Sequence, residues 1–155
     1  MSIFARAAIL VSLGLDLATP ALAGGDLDAA SIAALKGYTL SMAKISAMQA
    51  AMDDAKKNIP ASKRMQGVGN DSKTLAEMEA RLNAMPEVVA LYRRHGLTVH
   101  DAVVMPFVLM DAGVAVAYPS AAPKLADRIS PAQIAFYKQH RAELKKMSWL
   151  SGGSE

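Results

Sequence analysis

Between Asp26 and about Lys57 the apolar positions fall at Ile32, Leu35, Tyr38, Met42, Ile45, Met48 and Met52, in steps of three or four. That spacing predicts one amphipathic helix of about eight turns. Asp26, Asp28 and Ser31 place acceptors and negative charge at its start, and Lys56 and Lys57 place positive charge at its end, both suited to the helix dipole. From Asn58 to Ser72 the chain carries Pro60, Gly67, Gly69 and Asn70, a loop of about fifteen residues, longer than ordinary helix connections. A second helix starts with Ser72 or Thr74 as its cap, Thr74-x-x-Glu77 having capping-box form, and continues through Leu75, Met78, Leu82 and Met85. The pattern resumes after Pro86 with Val88, Val89, Leu91 and Tyr92 up to Gly96. Pro86 either kinks this helix or opens a new one at its first position.

Gly96 closes that helix, Thr98 caps the next, and Asp101 sits three residues on. The third helix runs to about Tyr118 and is apolar on nearly every side, through Val99, Val103, Val104, Phe107, Val108, Leu109, Met110, Val114 and Val116. Such a helix is either central and buried or inserted in a membrane. Pro106 and Asp111 favour burial, because a carboxylate at a bilayer centre costs about 2.5–3.5 kcal/mol on insertion scales. Pro119 to Arg128 reads as a loop. Ser130-Pro131-Ala132-Gln133 then opens the last helix with a cap, a proline at the first position and a glutamine at the third. Its expected inner stripe is Ile134, Tyr137, Arg141, Leu144 and Met147, with Trp149 and Leu150 at its end. The expectation is an all-α fold, an up-and-down antiparallel bundle of four helices.

The first 23 residues read differently. Arg6, the apolar run Ala7–Leu17 and the small-x-small site Ala21-Leu22-Ala23 form the pattern of a secretory signal peptide. The run is about half the ~20 residues that span a bilayer. Cleavage after Ala23 would leave residues 24–155 as a single domain of 132 residues, periplasmic or secreted. The chain has no cysteine, which excludes disulfides, thiolate zinc sites, thiol nucleophiles and covalently attached c-type haem. A net charge of +3 is too small to imply a nucleic-acid partner.

Candidate chemistry is sparse. Gly67 to Thr74 approximates a phosphate-binding loop but lacks its second glycine and a preceding strand. Lys56, Lys57, Lys63, Arg64 and Lys73 cluster around the same loop and could make weak contact with an anionic surface. His95 stands at a helix end, His100 in a first turn facing solvent, and His140 near the inner stripe of the last helix. No H-x-x-x-H pair occurs, so no metal site is expected. Ten methionines suit adaptable packing or a soft binding surface. Asp111 on an apolar helix needs a partner, with Arg141, His140, a lysine or a backbone donor as candidates. No nucleophile, Cys–His pair or two-carboxylate set accompanies it, so a non-enzymatic protein is expected.

The functional expectation is therefore an apolar ligand or a protein partner held in a Met-rich groove, with Asp111, His140, Met42, Met48, Met105 and Met110 as candidate binding residues. No cofactor is required. The alternative is haem or metal ligation by Met42 or Met48 together with His140, similar in arrangement to four-helix b-type cytochromes. A third, enzymatic reading would pair Asp111 with His100 or His140.

Two stretches carry a resemblance. Gly96 to Ala112, with Ile134 to Leu144, resembles small secreted helical proteins of proteobacteria without an assigned function. Ile129-Ser130-Pro131-Ala132-Gln133 is similar to the L-T-x-x-Q signature of Spy/CpxP-like periplasmic proteins, with Leu97-Thr98-Val99-His100-Asp101 as a second copy ending in Asp. That likeness implies a helical periplasmic protein that contacts other proteins.

Overall fold

The computed structural model describes residues 27–59, 74–147 and 149–150. The leader-like segment and most of the long loop, with Lys63, Arg64 and Lys73, lie outside them. Among the described residues the chain forms seven α-helices and no strand: α1 (Ala29–Gly37), α2 (Met42–Asn58), α3 (Leu75–Asn83), α4 (Pro86–Arg94), α5 (Val99–Ala117), α6 (Ala122–Leu125) and α7 (Pro131–Leu144). The fold is all-α.

The expected first helix is two helices. α1 ends at Gly37, Tyr38 turns extended, and Ser41 restarts the chain as the cap of α2, its hydroxyl accepting from the Lys44 N–H at 3.3 Å. The break passes unseen in the hydrophobic pattern because Tyr38 and Met42 remain four residues apart across it. Gly37, Thr39 and Ser41 were its local signals. Pro86 does not kink a continuous helix: it is the first residue of α4, where its missing N–H costs nothing. Pro119 to Arg128 is not a plain loop either. Pro119 opens a 3-10 turn and α6 follows it.

Helix ends are closed by local chemistry first. Gly96 has φ +73°, and behind it the Leu97 N–H donates to Tyr92 O and the Gly96 N–H to Arg93 O, the paired bonds of a Schellman stop. Complete capping boxes start α5, through Thr98 and Asp101, and α7, through Ser130 and Gln133. Each such cap contributes about 1 kcal/mol.

Several ends are also closed from other helices. The buried Ser31 hydroxyl on α1 accepts the Leu75 N–H at the start of α3, 3.1 Å away. Gln133 Nε2 donates to Leu35 O and Tyr38 O, both at 2.7 Å, while its Oε1 accepts the Ser130 N–H at 2.8 Å. One amide side chain thus caps the start of α7 and the end of α1 together.

α5 is the hub, packed against α1, α3, α4, α7 and the short turns that follow it. Eleven of its nineteen residues are buried, Val104, Met105, Val108 and Ala112 completely. By length and composition it could cross a membrane, and in this fold most of it is covered by other helices. Ile134, Tyr137, Leu144 and Met147 of the expected inner stripe of α7 are buried or half-buried, and Arg141 is its exception. Gln133 and Leu144 are buried, Phe136, Tyr137 and His140 are half-buried, and Arg141 is exposed. Polar Gln133 was read only as a cap, although it is the most deeply anchored residue of the first turn. Where α5 meets α7, a Cβ on Gly113 would stand 3.0 Å from Tyr137 Oη, so the glycine lets the tyrosine ring lie against the helix backbone.

Gln133→Leu, which keeps the volume but removes both functions of the amide, is expected to destabilise the fold by at least about 2 kcal/mol in urea unfolding. Gln139→Ala on the exposed face should stay within about 0.5 kcal/mol of wild type. Gly113→Leu should cost about 1–3 kcal/mol by overpacking, and Tyr137→Ala should recover part of that loss in the double variant, a coupling that a double-mutant cycle measures.

Candidate functional site

Where the end of α1 faces the start of α5, an open cleft of about 530 Å³ is lined by Ala33, Ala34, Gly37, Tyr38, Thr39, Lys44, Thr98, His100 and Asp101. Its size lies within the range of small-ligand sites. The break after Gly37 creates it: Tyr38 and Thr39 belong to the turn, and Lys44 comes from the first turn of α2. The capping box of α5 supplies the opposite wall through Thr98 and Asp101.

Asp101 organises the polar end. Its Oδ1 accepts from Tyr38 Oη at 2.8 Å and from Lys44 Nζ at 2.7 Å. Its Oδ2 accepts from the Thr98 N–H at 3.0 Å and from Thr98 Oγ1 at 2.8 Å. Burial opposes its ionisation, yet the bonds from Lys44, Thr98 and Tyr38 outweigh burial and hold its carboxyl well below the usual carboxylate range. The Tyr38 hydroxyl moves the other way, pushed up by burial and then by the bond and charge of Asp101. Lys44 Nζ also rests 5.1 Å from the Tyr38 ring centroid. His100 Nδ1 lies 2.8 Å from Glu79 Oε1 on α3, and its ring stands 6.1 Å from that of Tyr38.

Asp111, the carboxylate singled out by sequence, is elsewhere on α5. Its partner is neither Arg141, His140, a lysine nor a backbone donor: Arg128 Nη2 lies 3.0 Å from its Oδ2. Neither of those two atoms makes an aligned hydrogen bond, and Arg128 Nε is also without a partner. The contact is therefore an ion pair held by charge rather than by direction. Burial pushes the Asp111 carboxyl up, and Arg128 opposes that shift through its charge and its contact with the carboxylate.

The remaining expected residues do not gather into a groove. Met48 and Met105 are completely buried, and Met42 and Met110 are half-buried against the same core. Thioether side chains here fill space between helices. His140 packs on Phe136 with ring centroids 4.6 Å apart, and its buried Nδ1 has no hydrogen bond, Glu143 Oε2 lying 3.7 Å away. Among the described residues no group of three or more His, Asp or Glu side chains is placed to share a metal ion. His95 does more than terminate α4, since its Nε2 lies 2.9 Å from Asp54 Oδ2 on α2. Lys56 and Lys57 are exposed in the last turn of α2.

Sequence reasoning missed the group of Tyr38, Lys44 and Asp101. Its one local signal was an aspartate, rather than Glu or Gln, at the third position of a capping box. No protein-family model, no curated protein and no solved structure matches this chain.

The two carboxylates of α5 predict opposite acid responses. Asp101, held low in the folded state, contributes stability that is present above the unfolded value of about 3.9 and lost as pH falls below it toward the folded value. Asp111, held high, binds its proton earlier in the folded state than in the unfolded one, so its contribution improves as pH falls toward about 3.9. Urea unfolding between pH 7 and pH 2, set against wild type, should show Asp101→Asn losing part of the acid-labile component and Asp111→Asn making acid destabilisation steeper. Equal slopes in all three proteins would contradict both assignments.

Proposed function

We propose that this protein is an exported, non-catalytic helical bundle that holds a small ligand in the cleft between the end of α1 and the start of α5. The observation that carries the reading is the cleft itself, about 530 Å³, with a polar end fixed in place by Asp101. The phenol of Tyr38 and the ammonium of Lys44 both donate to the Asp101 carboxylate, which supports binding rather than proton transfer. Interior packing of Met48 and Met105 moves the binding role from a Met-rich groove to this cleft. Export rests on the leader-like pattern of residues 1–23, and the Spy/CpxP-like resemblance agrees with it. In the same reading the fold is an up-and-down bundle of four helical arms, the first bent after Gly37 and the second broken at Pro86.

Gly37 gives the test. An added Cβ there meets no atom within 4 Å, and its φ lies outside the left-handed region, so a side chain can start there without strain and narrow the cleft that Gly37 lines. Gly37→Leu should fold with unchanged or higher stability, by up to about 1 kcal/mol from helix propensity. Native mass spectrometry of protein recovered from the exported fraction should show a bound small molecule on wild type and none on Gly37→Leu, with Gly24 as the first residue of both. The same adduct on both proteins, or none on wild type, would overturn the cleft reading. An intact Met1 on soluble cytosolic protein would overturn export.

A further inference from the structure

Of the charged groups on the cleft's polar wall, Asp101 has no acceptor position left and Lys44 has donors to spare, and this sets the chemistry of its ligand. A carboxylate has about four lone-pair positions, and those of Asp101 are filled by Tyr38, Lys44 and two bonds from Thr98. The Thr98 hydroxyl is itself committed, donating to Asp101 Oδ2 and accepting the Asp101 N–H. An incoming amine therefore finds no acceptor on Asp101. Lys44 differs. Its ammonium has three donors, of which Asp101 takes one among the described residues, and its side chain is 42% exposed. The opposite wall presents the small side chains of Ala33 and Ala34 and the bare Gly37. Because Lys44 and Asp101 form a neutral pair, a dianion would lack a second counter-charge there.

We propose that the cleft takes a small monocarboxylate, its carboxylate on the free N–H groups of Lys44 and its short aliphatic tail along Ala33, Ala34 and Gly37. Asp101 is the positioning residue, since it holds the ammonium by one donor and leaves the others toward the cleft. This assignment rests on the cleft being the ligand site.

The test is an amide-resolved NMR titration of the full chain with butyrate, butylamine and inorganic phosphate. Butyrate should shift the amides of Gly37, Lys44 and His100 saturably, and at least tenfold more tightly than butylamine or phosphate. Lys44→Met should weaken butyrate at least tenfold while the remaining spectrum stays folded. Should Lys44→Met fail to fold, Gly37→Leu, which keeps the Lys44–Asp101 pair, must abolish the same shifts. Butylamine or phosphate binding in the cleft as tightly as butyrate would overturn the monocarboxylate assignment and leave the cleft as the ligand site. Shifts confined to another face, or no shift with any of the three probes, would overturn both.

Discussion

The turn at Tyr38 is the constraint on which the arrangement depends. A helix that stops leaves carbonyl groups without intrahelical donors, and around the end of α1 those of Leu35 and Tyr38 take buried hydrogen bonds. Gln133 reaches Leu35 O and Tyr38 O from α7, and Asp101 takes the Tyr38 hydroxyl and the Lys44 ammonium from α5. Both residues hold the third position of a capping box, so each closes its own helix with one function and grips the turn with another. The cleft follows from this, because its walls are the end of α1 and the first turn of α5.

What could be read from the sequence was local. The capping boxes of Thr98 with Asp101 and Ser130 with Gln133, the cap of Thr74 on the Glu77 N–H and the glycine stop at Gly96 depend on neighbours within a few residues, and each is formed. The second function of each third-position residue was hidden, since Tyr38 precedes Asp101 by 63 residues and Leu35 precedes Gln133 by 98. A polar residue that satisfies a distant carbonyl looks the same in sequence as one facing water. Periodicity alone therefore favours Arg141, with its long apolar stem, over Gln133 for the inner stripe, and the structure reverses the two. Arg128 was hidden for the same reason, as a cation in a segment that read as loop.

Composition announced the methionines but not their place. A hub helix touching several neighbours at once must fill irregular gaps on every side, and an unbranched, flexible thioether does that with little strain. Met105 on α5 and Met48 on α2 are both completely buried. The all-round apolarity of α5 has the same origin, for a helix covered by others over most of its surface leaves little of itself to water.

Asp101 and Asp111 show why residue type alone cannot nominate a site. They are the same amino acid on the same helix, and both are almost fully buried. Asp101 stands in the first turn, where the helix dipole favours negative charge, and every acceptor position is filled by a neutral or cationic donor. Asp111 lies in the body of the helix, where the dipole gives no such help, and meets a guanidinium at 3.0 Å without an aligned bond. A buried pair of that kind is costly to break but adds little over an apolar pair of the same shape, so its work is to fix α5 against the segment that leads into α7. Asp101 faces a cleft open to solvent and holds a lysine with donors to spare. The apolar setting that made Asp111 conspicuous in the sequence is also what seals it from any ligand, whereas Asp101, inconspicuous as a cap, sits where chemistry can reach.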